Sequence, residues 1–417
     1  MPDIRPFRAF RPKKAKTAQI AALPYDVYSR EEARDYVEAH PGSFLEIDRP
    51  ETFFDRDHDM YAPEVYQKAH DELWQRIREG DFVQDDVPCY YLYEQTFLGR
   101  TQTGIVAVSS IDDYTNGIIK KHENTREEKE QDRIRHVDAC DAQTGPIFLC
   151  YRARADLKEL IQTIRQRDAE VSFDGPDGSE NRIFVVRNLE ETDVIRRAFS
   201  ETDAVYIADG HHRCASAVKV GLQRRQAHPD KEEQESDHFL SVLFADDELQ
   251  ILDYNRVVKD LNGMDTESFL QRLGAVCDIR ATVKPKDEED ASLRPKEKGT
   301  MSMFLDGQWY ALRIHENLRS DDPVRGLDAS LLQEHVLTAI LGIGDIRTDK
   351  RIDFVGGIRG LKELERRCRT DCRVAFALYP TSIAELFQVA DAGLLMPPKS
   401  TWFEPKLLSG LFIHTLT

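Results

Sequence analysis

Apolar residues recur along this chain at two spacings, every second position and every third or fourth, and the two patterns alternate from end to end. Ser29-Arg30-Glu31-Glu32 pairs a hydroxyl with a carboxylate three residues on, the signature of a capped helix start, and that helix should stop before Pro41-Gly42. A longer amphipathic helix is predicted over Tyr61–Glu79, closed by Gly80. Apolar, β-branched or aromatic runs then predict strands at Tyr90–Thr96, Gly104–Ile111, Ile147–Tyr151, Ile183–Val186, Ala204–Ala208, Phe239–Phe244 and Leu249–Val258. Met301–Leu305 and Trp309–Ile314 flank Asp306-Gly307, which predicts a tight hairpin. Helical periodicity fills Thr125–Ala139, Leu157–Arg167, His211–Arg225, Asp328–Leu341 and Ile383–Ala390. The expected class is α/β in the mixed α+β sense, with the sheet sense left open.

Two polar stretches interrupt this patterning, Gln223–Asp237 and Lys284–Lys298, and both read as solvated loops. The second is the better boundary, because strand-like sequence resumes directly after it. A chain of 417 residues exceeds what one core sustains. The division expected is an N-terminal α/β region over 1–115, a core over 116–283 and a C-terminal α/β region over 299–417.

Composition narrows the function classes. With 57 Lys+Arg against 75 Asp+Glu the net charge is −18, which argues against a general nucleic-acid binder. No apolar run approaches the roughly 18 residues that span a bilayer. Seven scattered cysteines, without a Cys-x-x-Cys pair, read as reduced thiols. The expected setting is therefore cytoplasmic, without membrane or nucleic-acid partners. Small molecules are the expected partners, and a homodimer is among the expected assemblies.

The sharpest chemical feature is Ala204-Val-Tyr-Ile-Ala-Asp-Gly-His-His-Arg213, a buried strand running into Asp209-Gly210 and then a helix rich in small residues. Gly210 permits a tight turn with close backbone approach. The free N–H groups of the following helix turn favour an anion, and His211, His212 and Arg213 add donors suited to phosphate oxygens. Asp209 could hold Mg2+ or accept a proton from an attacking hydroxyl. The bland alternative is a plain Asp-Gly turn with wet histidines.

Three further segments carry candidates. In Lys120-Lys121-His122-Glu123-Asn124-Thr125-Arg126, Thr125 and Glu128 form a capping box. Outside it, Glu123 could be a general base while Lys121, His122 or Arg126 touches phosphate. In Met396–Lys406, two prolines stiffen a segment bearing Lys399, Ser400, Thr401 and Lys406; it reads as a substrate-binding lid or as a rigid surface loop. It lacks the glycines of a Walker-type loop. Asp26 in Pro24-Tyr25-Asp26-Val27 reads first as a turn acceptor before the Ser29 cap and second as a metal or base carboxylate among the substrate-binding residues.

Asp209-Gly-His-His-Arg213 after a strand resembles the phosphate-binding loop of the ParB/sulfiredoxin superfamily, especially its free-serine kinase branch. Four blocks make the whole chain similar to the domain-of-unknown-function 1015 family: Leu23-Pro-Tyr-Asp-Val27, Ile119–Arg126, Ala208–Arg213 and Met396–Lys406. The superfamily resemblance implies a ParB/sulfiredoxin-like nucleotide-binding core with additional N- and C-terminal α/β regions, taking ATP or ADP with Mg2+. It also suggests a link to serine metabolism.

The leading reading is a kinase or other phosphotransferase. Asp209–Arg213 would bind nucleotide phosphates, and Glu123 or Asp209, with His211 beside them, would activate a hydroxyl such as that of free serine. A phosphohydrolase acting, for example, on phosphoserine would use the same residues with water as acceptor. A nucleotide-binding regulator without turnover is the reading from another class.

Overall fold

The computed structural model describes residues 1–282 and 292–417. Contacts group the chain into two units. The first comprises Met1–Lys121, Thr125–Leu249 and Pro405–Thr417, and the second His122–Asn124 and Gln250–Glu404. The boundary expected near 116 falls inside the first unit, and residues 283–291 of the polar stretch at the other expected boundary lie outside the described residues.

Among the described residues, the first unit is built on a nine-stranded mixed sheet. Its strands are β1 (Ile4–Arg5), β2 (Tyr90–Phe97), β3 (Arg100–Ser110), β4 (Ile119–Lys120), β5 (Ile147–Tyr151), β6 (Val171–Asp174), β7 (Glu180–Val186), β8 (Val205–Asp209) and β9 (His238–Ala245). They lie in the order β4-β8-β5-β9-β3-β2-β7-β6, with β1 beside β3. The β4–β8 and β5–β9 pairs are parallel and the other neighbours antiparallel. Every residue of β5 is buried, as its unbroken apolar run requires of a strand covered on both faces.

Among the described residues, six helices of ten or more residues surround this sheet: α1 (Arg30–Ala39), α2 (Pro63–Arg78), α3 (Glu127–Cys140), α4 (Ala155–Arg165), α5 (Leu189–Ser200) and α6 (His211–Ala227). Leu157, Ile161 and Ile164 recur at helical spacing on α4 and join Ile195 and Phe199 of α5 in one core with Leu92, Ile105, Leu149 and Ile207 of the sheet. A second core gathers Ala33 of α1, Ala69 and Leu73 of α2, Cys140 of α3, and Phe44 and Ile413. The Ser29 capping box is present in both directions, with Ser29 N–H donating to Glu32 at 2.8 Å.

The second unit holds a six-stranded, wholly antiparallel sheet among the described residues. Its central hairpin, Thr300–Leu305 and Gln308–Ile314, turns through Asp306 and Gly307 at φ +50° and +81°. Two left-handed residues in succession suit the right-handed twist of the flanking strands. No helix among the described residues is long and apolar enough to cross a membrane. All seven cysteines are free.

Four local expectations need correction. The strand expected over Leu249–Val258 breaks at Asp253 into Ile251–Leu252 and Tyr254–Val258. There the buried Asp253 carboxylate takes Arg294 at 2.7 Å while its carbonyl accepts from Gly357 N–H. The helix expected over Asp328–Leu341 is α-helical only to Leu332 and widens into a π-helix over Gln333–Thr338. The loop expected from Gln223 is helical to Ala227, because Arg224 reaches Asp138 and Asp141 across the α3–α6 contact. Thr125 does not cap α3 with Glu128; its hydroxyl donates to Glu130 at 2.7 Å, and Glu130 also pairs with Lys219 of α6. A tertiary ion pair has displaced a local cap.

The small residues of α6 have a steric reason. A Cβ at Gly221 would drive into the backbone carbonyl of Ser236 and meet Ile111 Cδ1 at 2.9 Å. Gly221→Ala gains about 1 kcal/mol of helix propensity but forces backbone apart at about 1–3 kcal/mol, so a lower Tm is expected by thermal denaturation. In the second unit, Asp328 is buried and accepts from Gly299 N–H at 2.7 Å. Burial pushes its carboxyl up to about 7, against the pull of that hydrogen bond. The folded state thus holds the proton more tightly than the unfolded chain. Its contribution is complete below the ordinary carboxylate range and is lost as pH rises through 7. Asp328→Asn should melt above wild type at pH 8, with the difference vanishing near pH 4.

Candidate functional site

β8 delivers Asp209 to the start of α6, and its register on β5 shifts between Ile207 and Asp209. Such an irregularity turns a strand-end side chain out of the ladder. Gly210 follows at φ +88°, a left-handed conformation that strains any L side chain. A Cβ there would also lie 3.1 Å from Arg213 Nε. Glycine is therefore required twice, once for the turn and once to let the Arg213 guanidinium fold back over the backbone. Arg213 donates from one terminal nitrogen to the Pro146 carbonyl at 2.8 Å. Among the described residues its other nitrogens have no hydrogen-bond partner. They lie beside the first turn of a 17-residue helix, where free N–H groups and the positive dipole end gather.

Asp209 is fixed on both oxygens. One accepts from Lys406 Nζ at 2.9 Å and the other from Gly210 N–H at 2.7 Å. Burial alone would raise its carboxyl, but Lys406, Arg213 and the Gly210 N–H outweigh it and hold the group well below the usual carboxylate range. Lys406, assigned on sequence to a substrate lid, instead belongs to the loop's own electrostatics. His212 Nε2 accepts from the Arg126 backbone N–H at 2.9 Å, which places its proton on Nδ1. Arg126 is the residue before α3 and its side chain is exposed. His211 is buried at the helix start. Lys121 is exposed, its ammonium 5.8 Å from the Tyr114 ring centre.

Below the loop lies a cavity of about 30 Å³, the space of roughly one water, lined by Tyr25, Asp48, Arg133, His136, Thr144 and Arg213. Arg133 reaches it from α3, with its guanidinium 4.1 Å from the Tyr25 ring centre and paired to Asp132 at 2.8 Å. Thr144 donates to Asp48 at 2.8 Å. His136 sits beside that cation, and burial together with Arg133 lowers its affinity for a proton. Sequence reasoning missed Tyr25, Arg133, Asp48 and His136. A signal did exist: Glu130 stands at i with Arg133 at i+3 and the apolar Ile134, Val137 and Cys140 at i+4, i+7 and i+10, which places its charge on the apolar face of α3.

The other sequence candidates belong to the second unit. His122 Nε2 lies 3.3 Å from the Thr401 hydroxyl, and the His122 carbonyl accepts from Met396 N–H at 2.8 Å. Glu123 stands next to it, partly buried. Ser400 is buried and donates to the Pro397 carbonyl at 2.7 Å, so it is structural. Lys399 is exposed at φ +62°, with its ammonium 5.5 Å from the Tyr254 ring centre. Asp26, in the first unit, lies exposed in a single 3-10 turn, Tyr25–Val27, and caps nothing there. No group of three or more His, Cys, Asp or Glu among the described residues is placed to hold a metal ion. A divalent ion at Asp209 would have to displace Lys406, so these residues do not form a resident Mg2+ site.

Comparison with known proteins adds the following. A free serine kinase mutant in complex with ADP aligns over 73% of this chain and 88% of its own, at 14% identity and a TM-score of 0.33. A truncated SbnI from Staphylococcus aureus aligns over 73% and 85%, at 11% identity and a TM-score of 0.37. A conserved hypothetical protein from Pyrococcus furiosus aligns over 73% and 94%, at 16% identity and a TM-score of 0.33. No curated protein matches the chain. The model of one family, described as proteins of unknown function (DUF1015), matches residues 4–330, and the chain belongs to that family.

Proposed function

We propose that Asp209–Arg213 is a phosphate-binding loop for ATP or ADP, and that the chain is a phosphotransferase acting on a small hydroxyl metabolite such as free serine. The observation that carries this reading is Arg213. The buried Arg133 and Arg49 spend their donors on carboxylates and carbonyls. Arg213 spends one nitrogen and keeps the rest of its fork beside a helix N-terminus. Planar forks suit phosphate oxygens, and a helix start supplies further N–H donors to the same anion. His211, His212 and Arg126 stand at the same helix start or beside it.

Phosphoryl transfer needs positioning and charge neutralisation more than covalent chemistry. Arg213 and Lys406 supply the charge. Asp209 is then a positioning residue. A carboxylate held so far below its ordinary range is too weak a base to draw a proton from a hydroxyl. Mg2+ in this reading arrives with the nucleotide rather than waiting in the protein.

Arg213→Ala should abolish the rise in Tm that ATP or ADP gives the wild type. That rise corresponds to roughly 2.7 kcal/mol at one hundred times Kd. Arg213→Lys should restore it only in part, since an ammonium keeps the charge and loses the fork. Wild-type nucleotide binding in Arg213→Ala, with its unliganded Tm unchanged, would remove the loop from the function.

A further inference from the structure

We infer that a second pocket in the first unit, beside Tyr25 and Asp26, binds a small hydroxylated primary amine, with the ammonium held by the Asp26 carboxylate and tyrosine rings. The pocket has a volume of about 160 Å³. Drug-sized ligands occupy roughly 300–1,000 Å³, so this space suits a handful of non-hydrogen atoms and is too small for a nucleoside. Tyr25, Tyr28, Tyr61 and Tyr66 contribute to its walls. Burial pushes the phenols of Tyr25, Tyr28 and Tyr66 well above their ordinary range, so these rings stay neutral.

The choice of ligand follows from which charges are already spent. Arg49 lines the pocket but donates to Glu51 at 2.6 Å and to the carbonyls of Tyr25 and Tyr28 at 3.0 and 2.8 Å. Arg133 is held by Asp132 and stacks over Tyr25. Asp132 accepts from the Tyr66 hydroxyl at 2.9 Å as well as from Arg133. Lys129, on the same wall, has an interaction of its own. Asp26 differs from all of these: it is exposed, and no side chain among the described residues is hydrogen-bonded or ion-paired to it. An uncommitted carboxylate in a pocket walled by tyrosines attracts an organic cation. An anionic ligand would meet repulsion at that point.

The hydroxyl follows from the neighbouring site and rests on the phosphate-loop reading. Tyr25 and Arg133 line both this pocket and the small cavity that Arg213 also lines, so the two spaces adjoin at one ring and one guanidinium. A ligand anchored by its ammonium at Asp26 would turn its other end toward the loop, where a hydroxyl is the acceptor that phosphoryl transfer requires. Its oxygen would bond to the terminal phosphorus as the bond to the nucleoside diphosphate breaks, and its proton would pass to solvent or to a base.

Calorimetric titration of the full chain tests this with ethanolamine and serine, which carry the amine, and with glycerol and glycolate, which do not. The expected result is binding of the amines alone, weakened at least tenfold in Asp26→Asn and severalfold in Tyr61→Ala. Both positions are exposed, so both variants should keep the wild-type Tm. Absence of amine binding, amine binding unchanged in both variants, or glycerol or glycolate binding as tightly as the amines would overturn the inference. ATP is titrated separately. ATP binding without amine binding sinks this pocket and leaves the loop standing; amine binding without ATP binding does the reverse.

Discussion

The ion pair between Asp209 and Lys406 joins residues 197 apart in sequence and fixes the turn from β8 into α6. Lys406 belongs to the C-terminal segment of the first unit, and that segment is stitched into the sheet at several points. The Lys406 carbonyl accepts from Gln95 of β2, Ala22 and Ser409 exchange backbone hydrogen bonds, and Phe10 and Ile413 do the same. His414–Thr415 pairs with Ala142–Gln143. Lys406 and Asp209 keep only 15% and 31% side-chain exposure. Breaking a partly buried pair leaves the survivor uncompensated, which costs far more than a surface pair does. The last residues of the chain are thus a working part of the loop's electrostatics.

A similar logic governs α3. A helix that buries Glu130, Arg133 and His136 would be destabilised unless each found a partner. Glu130 takes Lys219 and Thr125, Arg133 takes Asp132 and the Tyr25 ring, and His136 donates to the Ile47 carbonyl at 2.8 Å. Asp132 and Thr125 are local to α3, and the other partners come from α6, from the turn at Tyr25 and from the segment before α2. Their satisfaction locks α3 against all three. The polar interior that results is specific where an apolar one would only be sticky.

This also explains what was legible in the sequence. Ile147–Tyr151 and the hairpin at Asp306-Gly307 could be read because period, composition and turn chemistry all point one way. Ile352–Gly356 and Val374–Leu378 carry short apolar runs that period alone does not assign. The Asp209-Gly210 turn was legible, since strand, glycine and helix follow one another directly. The partner of Asp209 was not, because it comes from a segment that looked like a lid. Buried charges on α3 were likewise hidden: local rules treat charge as solvent-facing, and only tertiary pairing makes its burial affordable. The lost capping box at Thr125 is the same effect seen from the other side.

Accounting for donors in the first unit separates architecture from availability more sharply than burial does. Arg49 and Arg133 are both buried and each makes three polar contacts; Arg213 is half-buried and makes one hydrogen bond. Among carboxylates, Asp48, Glu51 and Asp132 are engaged, whereas Asp26 is not. Arg213 at a helix start, with Asp209 as its charged neighbour, and the unpaired Asp26 carboxylate thus line two cavities that share Tyr25 and Arg133. Folding required neither to remain open. A guanidinium with free donors and an unpaired carboxylate, each lining one of two cavities with common walls, are the arrangement expected of a site that takes an anion and a cation together.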